Sequence, residues 1–600
     1  MEDLQADACP VKEVFDCSRY DSLASLEAAL FGPLLRDWET VSSEDPTATL
    51  FQHPAWTMPW YRAYSVAFQP LVLTIAHGGR LVGVAPMAIE RATNRIAFAG
   101  DHMADYRDLV ALPGYREQVV KEFLKLYREG GFPNMLWLGP TLPESETVEI
   151  VLRAAGSLQI PVVRRVHYGW RWWAAERDKV EDPLKKKAVR YALNFFRRQG
   201  PVTVKIIRTV SEWDSFKEEF YNQHSLRQLF GGRRTSFDDA RKRAFYDEFF
   251  RQPYCHVTAL YVNGRMVSSH VGSAYRDMLL WGAPSFDIRD NAYSPGLLLM
   301  VLSMKEAESW GFKGVDLTIG EGDLKERFST NRVNLPSVEL FSSRRQYLFS
   351  KTRVSATTYF RAGVTQFGEG AWTKLKPAFK DVSSKVDRMR ELGLGGSIAQ
   401  LGRWAAHAVG ESATGLVLIA TPDSRQTVEP SLGAGESCAF RENEIYDLLK
   451  WKGESNDTSR LLSDKARQLP GLLKSGRTFH TVLINDRLAG WGLSYWPKEP
   501  ANLSETGGTV LEFPPGSVSL YDFFVLPEYR GRKLYQALLS HILELRFREG
   551  AGQAYIGVLK SNESSLAGIE RTGFKRWRTT RYWRLLKWKR MNSRVEPRDT

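Results

Sequence analysis

A chain of 600 residues, 43% hydrophobic and 25% charged, is too long for one core and too apolar for a disordered polymer. Two to four globular domains are therefore expected. The formal net charge of +13 points to an anionic partner: nucleic acid, an anionic membrane surface or a polyanionic small molecule. Four scattered cysteines (Cys9, Cys17, Cys255 and Cys438) lack metal-ligand spacing, which argues for a reducing compartment and against a disulfide scaffold. The N-terminal residues Met1 to Asp7 are acidic and have no apolar stretch of a secretory signal. No apolar run reaches the roughly 18 to 20 residues that span a bilayer, so a cytoplasmic location is expected.

In chain order, Ser22–Leu35 reads as a helix and is followed by an aromatic cluster of Phe51, Trp56, Trp60 and Tyr61. Leu71–Val84 alternates as strand, turn, strand, with His77-Gly78-Gly79 at the turn and Arg80 opening the return. The same device recurs around Asn263-Gly264-Arg265 and around Asn485-Asp486-Arg487. Three such hairpins, each followed by further strands and a helix, suggest three related α/β units. The boundaries read as 20–180, 181–345 and 413–590, with a partly helical connector over 346–412. Lys185 to Arg198 is an amphipathic basic helix leading into the second unit.

The segment from Ser517 to Leu539 predicts a strand ending near Val525, a turn at Pro527 and a helix starting near Arg532. Such a helix start presents unpaired N–H groups and positive dipole charge, and Arg530, Arg532 and Lys533 add counter-charge for a pyrophosphate. A further strand follows, then Asn562 as a helix cap and Gly573-Phe574 as the stop. From Arg571 to Arg594, ten cations with interleaved Trp577, Trp583 and Trp588 read as basic terminal strands or as an anchor on an anionic membrane surface.

Val525-x-Pro527-Glu-Tyr-Arg530-Gly531 followed by Asn562 and Gly573-Phe574 resembles the GNAT superfamily of coenzyme A-dependent N-acyltransferases over about 415–590. The resemblance implies acetyl-CoA or another acyl-CoA as co-substrate and no metal. It implies that Phe524, Val525, Arg530, Gly531, Arg532, Lys533 and Asn562 bind the cofactor, with Tyr521 or Asp522 as acid or base. Lys533 and Tyr535 stand where the family motif has small residues, and Ile569 stands where it often has a catalytic tyrosine.

An earlier set of motifs runs from Phe51-Gln-His-Pro-Ala-Trp56 through Gly83 to Met87 and Asp105-Tyr106-Arg-Asp108. It continues with Tyr293-Ser-Pro-Gly296-Leu297, Asp316 and Gly320 to Phe328. Together these resemble the CelD/BcsL acetyltransferase-like proteins of cellulose and exopolysaccharide genes, which share a tandem GNAT architecture with the FemAB ligases. Ser294 reads as an N-cap and Pro295 as the first residue of a helix running from Leu297 to Trp310. The resemblance makes Ser294, Gly296 and Leu297 the donor site, Asp316 and Lys325 catalytic candidates, and His224, Arg227 and Arg327 substrate contacts, with His270 and Tyr293 ranking behind them.

The expected fold is thus α/β, with two N-terminal GNAT-like units and a C-terminal GNAT domain. The expected activity is acyl transfer to an amine or hydroxyl, by proximity, an oxyanion-binding backbone N–H and a side-chain proton acceptor. A glycan-precursor acceptor in envelope or exopolysaccharide metabolism leads. A FemAB-like aminoacyl transferase, with the 185–198 helix on tRNA, and a non-catalytic scaffold at a polysaccharide synthase are the alternatives.

Overall fold

The computed structural model describes residues 14–132, 135–320, 323–348, 410–497, 502–503, 511–512, 514–585 and 588–595. The expected connector over 346–412 lies almost wholly outside the described residues. The chain divides into two compact units, Met1–His224 with Ser236–Gly363, and Ser225–Thr235 with Val364–Thr600.

The first unit opens with β1 (Phe15–Tyr20), α1 (Leu23–Leu30), α2 (Leu34–Glu44), α3 (Pro54–Tyr64), β2 (Phe68–His77) and β3 (Arg80–Glu90). The helix expected over Ser22–Leu35 is broken at Gly32-Pro33, since proline has no N–H to continue the ladder. β4 (Arg95–Phe98), β5 (Val110–Ala111), α4 (Arg116–Glu129), β6 (Leu136–Leu138), α5 (Thr147–Ser157) and β7 (Val162–Trp173) follow. A first sheet is ordered β1-β2-β3-β4 with β5 on β3, and Trp38, Trp60, Tyr61 and Phe123 are buried against it.

Next come α6 (Lys187–Arg197), β8 (Val202–Ile207), α7 (Val210–Phe230), α8 (Ala240–Phe249), β9 (Cys255–Val262), β10 (Arg265–Tyr275) and β11 (Met278–Phe286). α9 (Pro295–Glu306), β12 (Gly314–Ile319), α10 (Asp323–Phe328) and β13 (Asn331–Leu340) complete the unit. The second sheet is ordered β6-β13-β7-β12-β11-β10-β9-β8. β6 and β7 thus leave the 20–180 segment to join the second sheet, and β7 sits between β12 and β13, antiparallel to both. A boundary drawn at 180 from the sequence misses this, because strand composition does not reveal which sheet a strand enters.

The second unit carries β14 (Gly410–Ala420), β15 (Cys438–Glu442), α11 (Asn456–Lys474), β16 (Arg477–Ile484), β17 (Arg487–Tyr495) and a two-residue pair, β18 (Asn502–Leu503) with β19 (Leu511–Glu512). β20 (Ser517–Val525), α12 (Leu534–Arg548), β21 (Gln553–Leu559), α13 (Glu563–Glu570), β22 (Lys575–Leu585) and β23 (Trp588–Val595) follow. Its sheet is ordered β15-β16-β17-β20-β21-β14-β22-β23. That repeats the second sheet strand for strand, with β14 inserted between β21 and β22 as β7 is between β12 and β13. The basic C-terminal run accordingly forms β22 and β23 at a sheet edge.

All three expected hairpins form, and each turn has two consecutive residues at positive φ: Gly78 and Gly79, Asn263 and Gly264, Asn485 and Asp486. This backbone twists with the flanking strands, which is why Gly, Asn and Asp occupy it.

One irregularity is repeated and matters for function. Gly272 on β10 faces two residues of β11, Trp281 and Gly282, and Gly492 on β17 faces two residues of β20, Asp522 and Phe523. Each is a bulge that bends its strand away from the next. A Cβ on Gly272 would collide with the Leu280 carbonyl oxygen and the His270 ring. Gly272→Val is expected to destabilise the protein by about 1–3 kcal/mol through overpacking, read as a lower thermal midpoint. An unchanged midpoint would show that the bulge does not depend on glycine.

Candidate active site

β11 and β12 pair in parallel only over Met278 to Leu280 and Gly314 to Asp316. Beyond the bulge β11 stays with β10, while Ile319 of β12 aligns with Gly169 of β7. The two strands therefore fork, and Asp316 occupies the last paired position before the gap.

The Asp316 carboxylate is buried and well supplied with donors. Tyr106 donates its hydroxyl at 2.9 and 3.1 Å from the two oxygens, the Thr318 N–H donates at 2.7 Å, and Arg171 Nε lies at 3.4 Å. Thr318 sits at φ +62°, so the carboxylate holds a strained turn within its own strand. A carboxylate with these bonds anchors both the turn and the loop that carries Tyr106. Asp316, a catalytic candidate from the sequence, has a second carboxylate as its neighbour.

That neighbour is Asp105, in the loop between β4 and β5. Burial, reinforced by the negative charge of Asp316, pushes its pKa up to about 6, against the pull of Lys325 and Arg107. Among the described residues no hydrogen bond reaches its carboxylate. The loop is held on both flanks: Gln52 Nε2 donates to the Tyr106 carbonyl at 2.9 Å, and Arg107 stacks over Trp137 at 4.5 Å. Lys325 donates to the Ile319 carbonyl at 2.7 Å, and burial lowers its pKa while Asp105 and Asp316 oppose that shift. Gly320 leaves the space this ammonium occupies, and Trp170 Nε1 fixes the Gly320 carbonyl at 2.8 Å. A proton acceptor, a cation and an anchored carboxylate thus converge on the mouth of the fork.

Behind the fork, His270 is fully buried, stacked on Trp281 with centroids 3.9 Å apart, and its pKa is driven well below the ordinary value by burial. Its neutral ring accepts the Gly282 N–H at Nε2, 3.0 Å away. The Gly282 N–H of the bulge is therefore already engaged, and the positive groups at the fork are Lys325 and Arg171, the latter paired with Asp316.

On the donor side, α9 starts as expected at Pro295, but Ser294 makes no side-chain cap. It adopts the left-handed conformation, φ +49°, and leaves the Gly296 and Leu297 N–H groups without partners inside the helix. Lys533 has the same conformation, φ +55°, at the start of α12. The two helix starts are equivalent, and the turn geometry rather than the residue type is what they share.

In the second unit β20 and β21 part after Leu520 and Ile556. Asp522, on that bulge, is ion-paired with Lys465 of α11, a buried lysine, so its charge is already committed. Phe524 stacks on Trp491, and Phe523 meets the Tyr535 ring edge-on at 5.6 Å. Tyr535 lies against Gly568 of α13, where a Cβ would come within 3.1 Å. Arg532 is paired with Glu436, whereas Arg530 is exposed and rests near Phe524. Asn562 caps α13 by accepting the Ser565 N–H. Tyr521 and Val525 flank the bulge, and Gly531 lies between the two arginines at φ +81°.

The expected substrate contacts lie on two helices, His224 and Arg227 on α7 and Arg327 on α10 with Lys325. His224 is buried edge-on to Phe237 at 4.8 Å. Arg227 lies in the Ser225–Thr235 segment that belongs with the second unit, its pKa lowered to about 10 by burial. Arg327 is exposed on α10. None of Asp105, Tyr106 and Arg171 is among the site residues expected from the sequence. The signal for the first two was the Asp105-Tyr106 pair already noted as a motif; nothing marked Arg171.

Two family models match the chain, an acetyltransferase (GNAT) domain over residues 185–326 and the acetyltransferase (GNAT) family over 443–574. The chain is built on tandem GNAT-like folds. Similar solved structures include FemX, at 10% identity and TM-score 0.40, covering 52% of this chain and 98% of that one. A tandem GNAT protein from the clavulanic acid biosynthesis pathway is 13% identical with TM-score 0.34, covering 54% and 98%. The C-terminal domain of a putative lysylphosphatidylglycerol synthetase from Agrobacterium fabrum is 11% identical with TM-score 0.36, covering 55% and 95%. No curated protein matches the chain. Among the described residues, no helix is long and apolar enough to cross a membrane and no His, Cys, Asp or Glu cluster could hold a metal ion.

The raised pKa of Asp105 has a consequence for stability. The folded protein favours the protonated carboxyl, so this contribution is full below the ordinary value of 3.8 and lost as pH rises through about 6. Asp105→Asn is therefore expected to raise the thermal midpoint at pH 8 but not at pH 3.5, with ~3 kcal/mol as the upper limit of the gain. Equal effects at both pH values would contradict the assignment. Tyr106→Phe, which strips a buried carboxylate of a donor, is expected to cost about 1–3 kcal/mol in the same melt.

Proposed function

We propose that the first unit catalyses acyl transfer from a pantetheine thioester of the acetyl-CoA type to an amine or hydroxyl. The observation that carries this reading is Asp105, a carboxylate free of donors, set beside Lys325 at the mouth of the β11–β12 fork. The α9 start, with Ser294, Gly296 and Leu297, holds the donor phosphate through its free N–H groups. The thioester carbonyl enters the fork, and the acceptor nitrogen or oxygen attacks its carbon while Asp105 takes the departing proton. The C–S bond then breaks, the new amide or ester forms, and the thiolate leaves to be protonated from solvent. Lys325 faces the charge that develops on the carbonyl oxygen.

The second unit is proposed to bind rather than react. Its bulge carboxylate, Asp522, is paired with Lys465, and Tyr535 packs on Gly568 and Phe523 where the donor arm would pass between α12 and α13. For the acceptor, the CelD/BcsL resemblance of residues 20–345 supports a glycan precursor of exopolysaccharide or envelope synthesis, reached from the cytoplasmic side.

Acetyl-CoA titrated calorimetrically into wild type, Gly296→Trp and Arg530→Ala tests the donor site. Gly296→Trp, which places an indole against Phe286 at the α9 start, is expected to abolish the first-unit binding. Loss only with Arg530→Ala would move the site to the second unit. Thiol release with a panel of amino-sugar acceptors is expected to fall about 10²- to 10⁴-fold in Asp105→Asn, and in wild type to rise with pH through about 6 and then level. Turnover unaffected by the substitution would remove Asp105 as the base.

A further inference from the structure

Helix α6 packs against α9 and against the Ile288–Tyr293 segment that leads into it. Its Phe195 ring stacks on Tyr293, the residue before Ser294, with centroids 3.3 Å apart and planes 8° apart. Tyr191 lies 5.6 Å from the same ring, and Lys186 sits 5.1 Å over Phe328 at the end of α10. Val189, Ala192 and Phe196 bury the opposite stripe of the helix.

The outward face is strongly cationic. Lys187, Arg190, Asn194, Arg197 and Arg198 follow one another at helical spacing and are exposed, and the Tyr191 ring, 56% exposed, sits among them. Among the described residues, none of Lys185, Lys187, Arg190 and Arg197 has a carboxylate within ion-pair distance. Unpaired like charges on one short helix repel one another, so the arrangement is suited to a partner that supplies the counter-charge.

The α9 turn explains why such a partner fits here. Arg265 and Arg289 are both committed to Asp287, and Arg265 also to Asp290. Pro295 removes one N–H that a helix start normally offers. The α12 start, by contrast, has Arg530 and Lys533 exposed beside it. The α9 start holds a phosphate with two N–H groups, and the remaining contacts of the donor come from elsewhere on the surface.

Resting on the acyl-transfer reading above, we infer that the thioester reaches the first unit on an acidic carrier protein. An acidic helix of the carrier pairs with the Lys187–Arg190–Arg197 face, and its single-phosphate pantetheine arm passes the α9 start into the fork. The cationic stripe is about 16 Å long, one helix of 11 residues. Glu181 and Asp182 bound it at one end, and Glu306 of α9 lines the same surface groove as Arg197 at the other. A cationic stripe of one helix's length matches one acidic helix laid along it.

The test uses the full chain and a fluorescent, phosphopantetheinylated acyl carrier protein bearing an acetyl group, with acetyl-CoA, an RNA hairpin and phosphatidylglycerol vesicles as comparison ligands. Lys187→Glu with Arg190→Glu is expected to weaken carrier binding at least tenfold while acetyl-CoA affinity stays within twofold. Thermal melts check that these exposed substitutions leave the fold intact. The inference is overturned if wild type does not bind the carrier, if both donors weaken alike, or if RNA or vesicles bind more tightly and displace it. Carrier binding without transfer to any acceptor would sink the acyl-transfer reading alone, and acetyl-CoA turnover without carrier binding would sink the carrier alone.

Discussion

The hydrogen bonds from Tyr106 to Asp316 are the contact on which the candidate site depends. Tyr106 belongs to the loop between β4 and β5 on the first sheet, and Asp316 stands at the fork of the second. A phenol buried against a carboxylate is an expensive pair to separate, because each group would be left in a medium too apolar to solvate it. The bond therefore fixes the loop, and with it the adjacent Asp105, relative to Lys325. It also occupies Asp316, and so assigns two neighbouring carboxylates to different tasks. One accepts hydrogen bonds and holds the strand; the other has none and can accept a proton.

The two eight-stranded sheets show how one architecture accommodates different outcomes. Both insert a preceding strand between the strands that follow the fork, and both bend at a bulge opposite a glycine. At the first bulge stand Trp281 and Gly282, whose N–H is capped by His270. At the second stand Asp522, ion-paired with Lys465, and Phe523, packed toward Tyr535. Bulge and helix start come from the backbone and are preserved in both, whereas the chemistry depends on which side chains line the gap. This is why a turn motif can name a superfamily without locating its reaction.

Local features were legible in the sequence for a physical reason. The three hairpin turns need positive φ at consecutive residues, and Gly, Asn and Asp announce that need directly. The starts of α9 and α12 were similarly marked by Pro295 and by the Arg530–Lys533 run. What could not be read was long-range pairing. Nothing in Val162–Trp173 says that β7 will leave its neighbours and enter the second sheet, and Arg171, which it carries to Asp316, was missed with it. Asp316 and Lys325 were singled out as catalytic candidates. Their division of labour depends on Tyr106, which lies 210 residues from Asp316. The expected role of Ser294 as a side-chain cap gave way because its left-handed backbone turns the side chain from the N–H groups it would bond.

A base with a raised pKa is held at a cost. Asp105 has no donor to stabilise its charge, so each ionised molecule carries an unfavourable carboxylate beside Asp316, offset by Lys325. The fold tolerates this because its surroundings are over-determined: Gln52 grips the Tyr106 backbone, Arg107 stacks on Trp137, and Trp170 secures the loop that presents Lys325. Adding a donor to Asp105 would relieve the cost and lower its pKa, but would also remove the basicity that makes it useful near neutral pH. Asp522 differs in having an ion-pair partner, Lys465. The contrast between an ion-paired and an unpaired carboxylate, on two sheets of the same design, is the strongest physical reason to place the chemistry in the first unit.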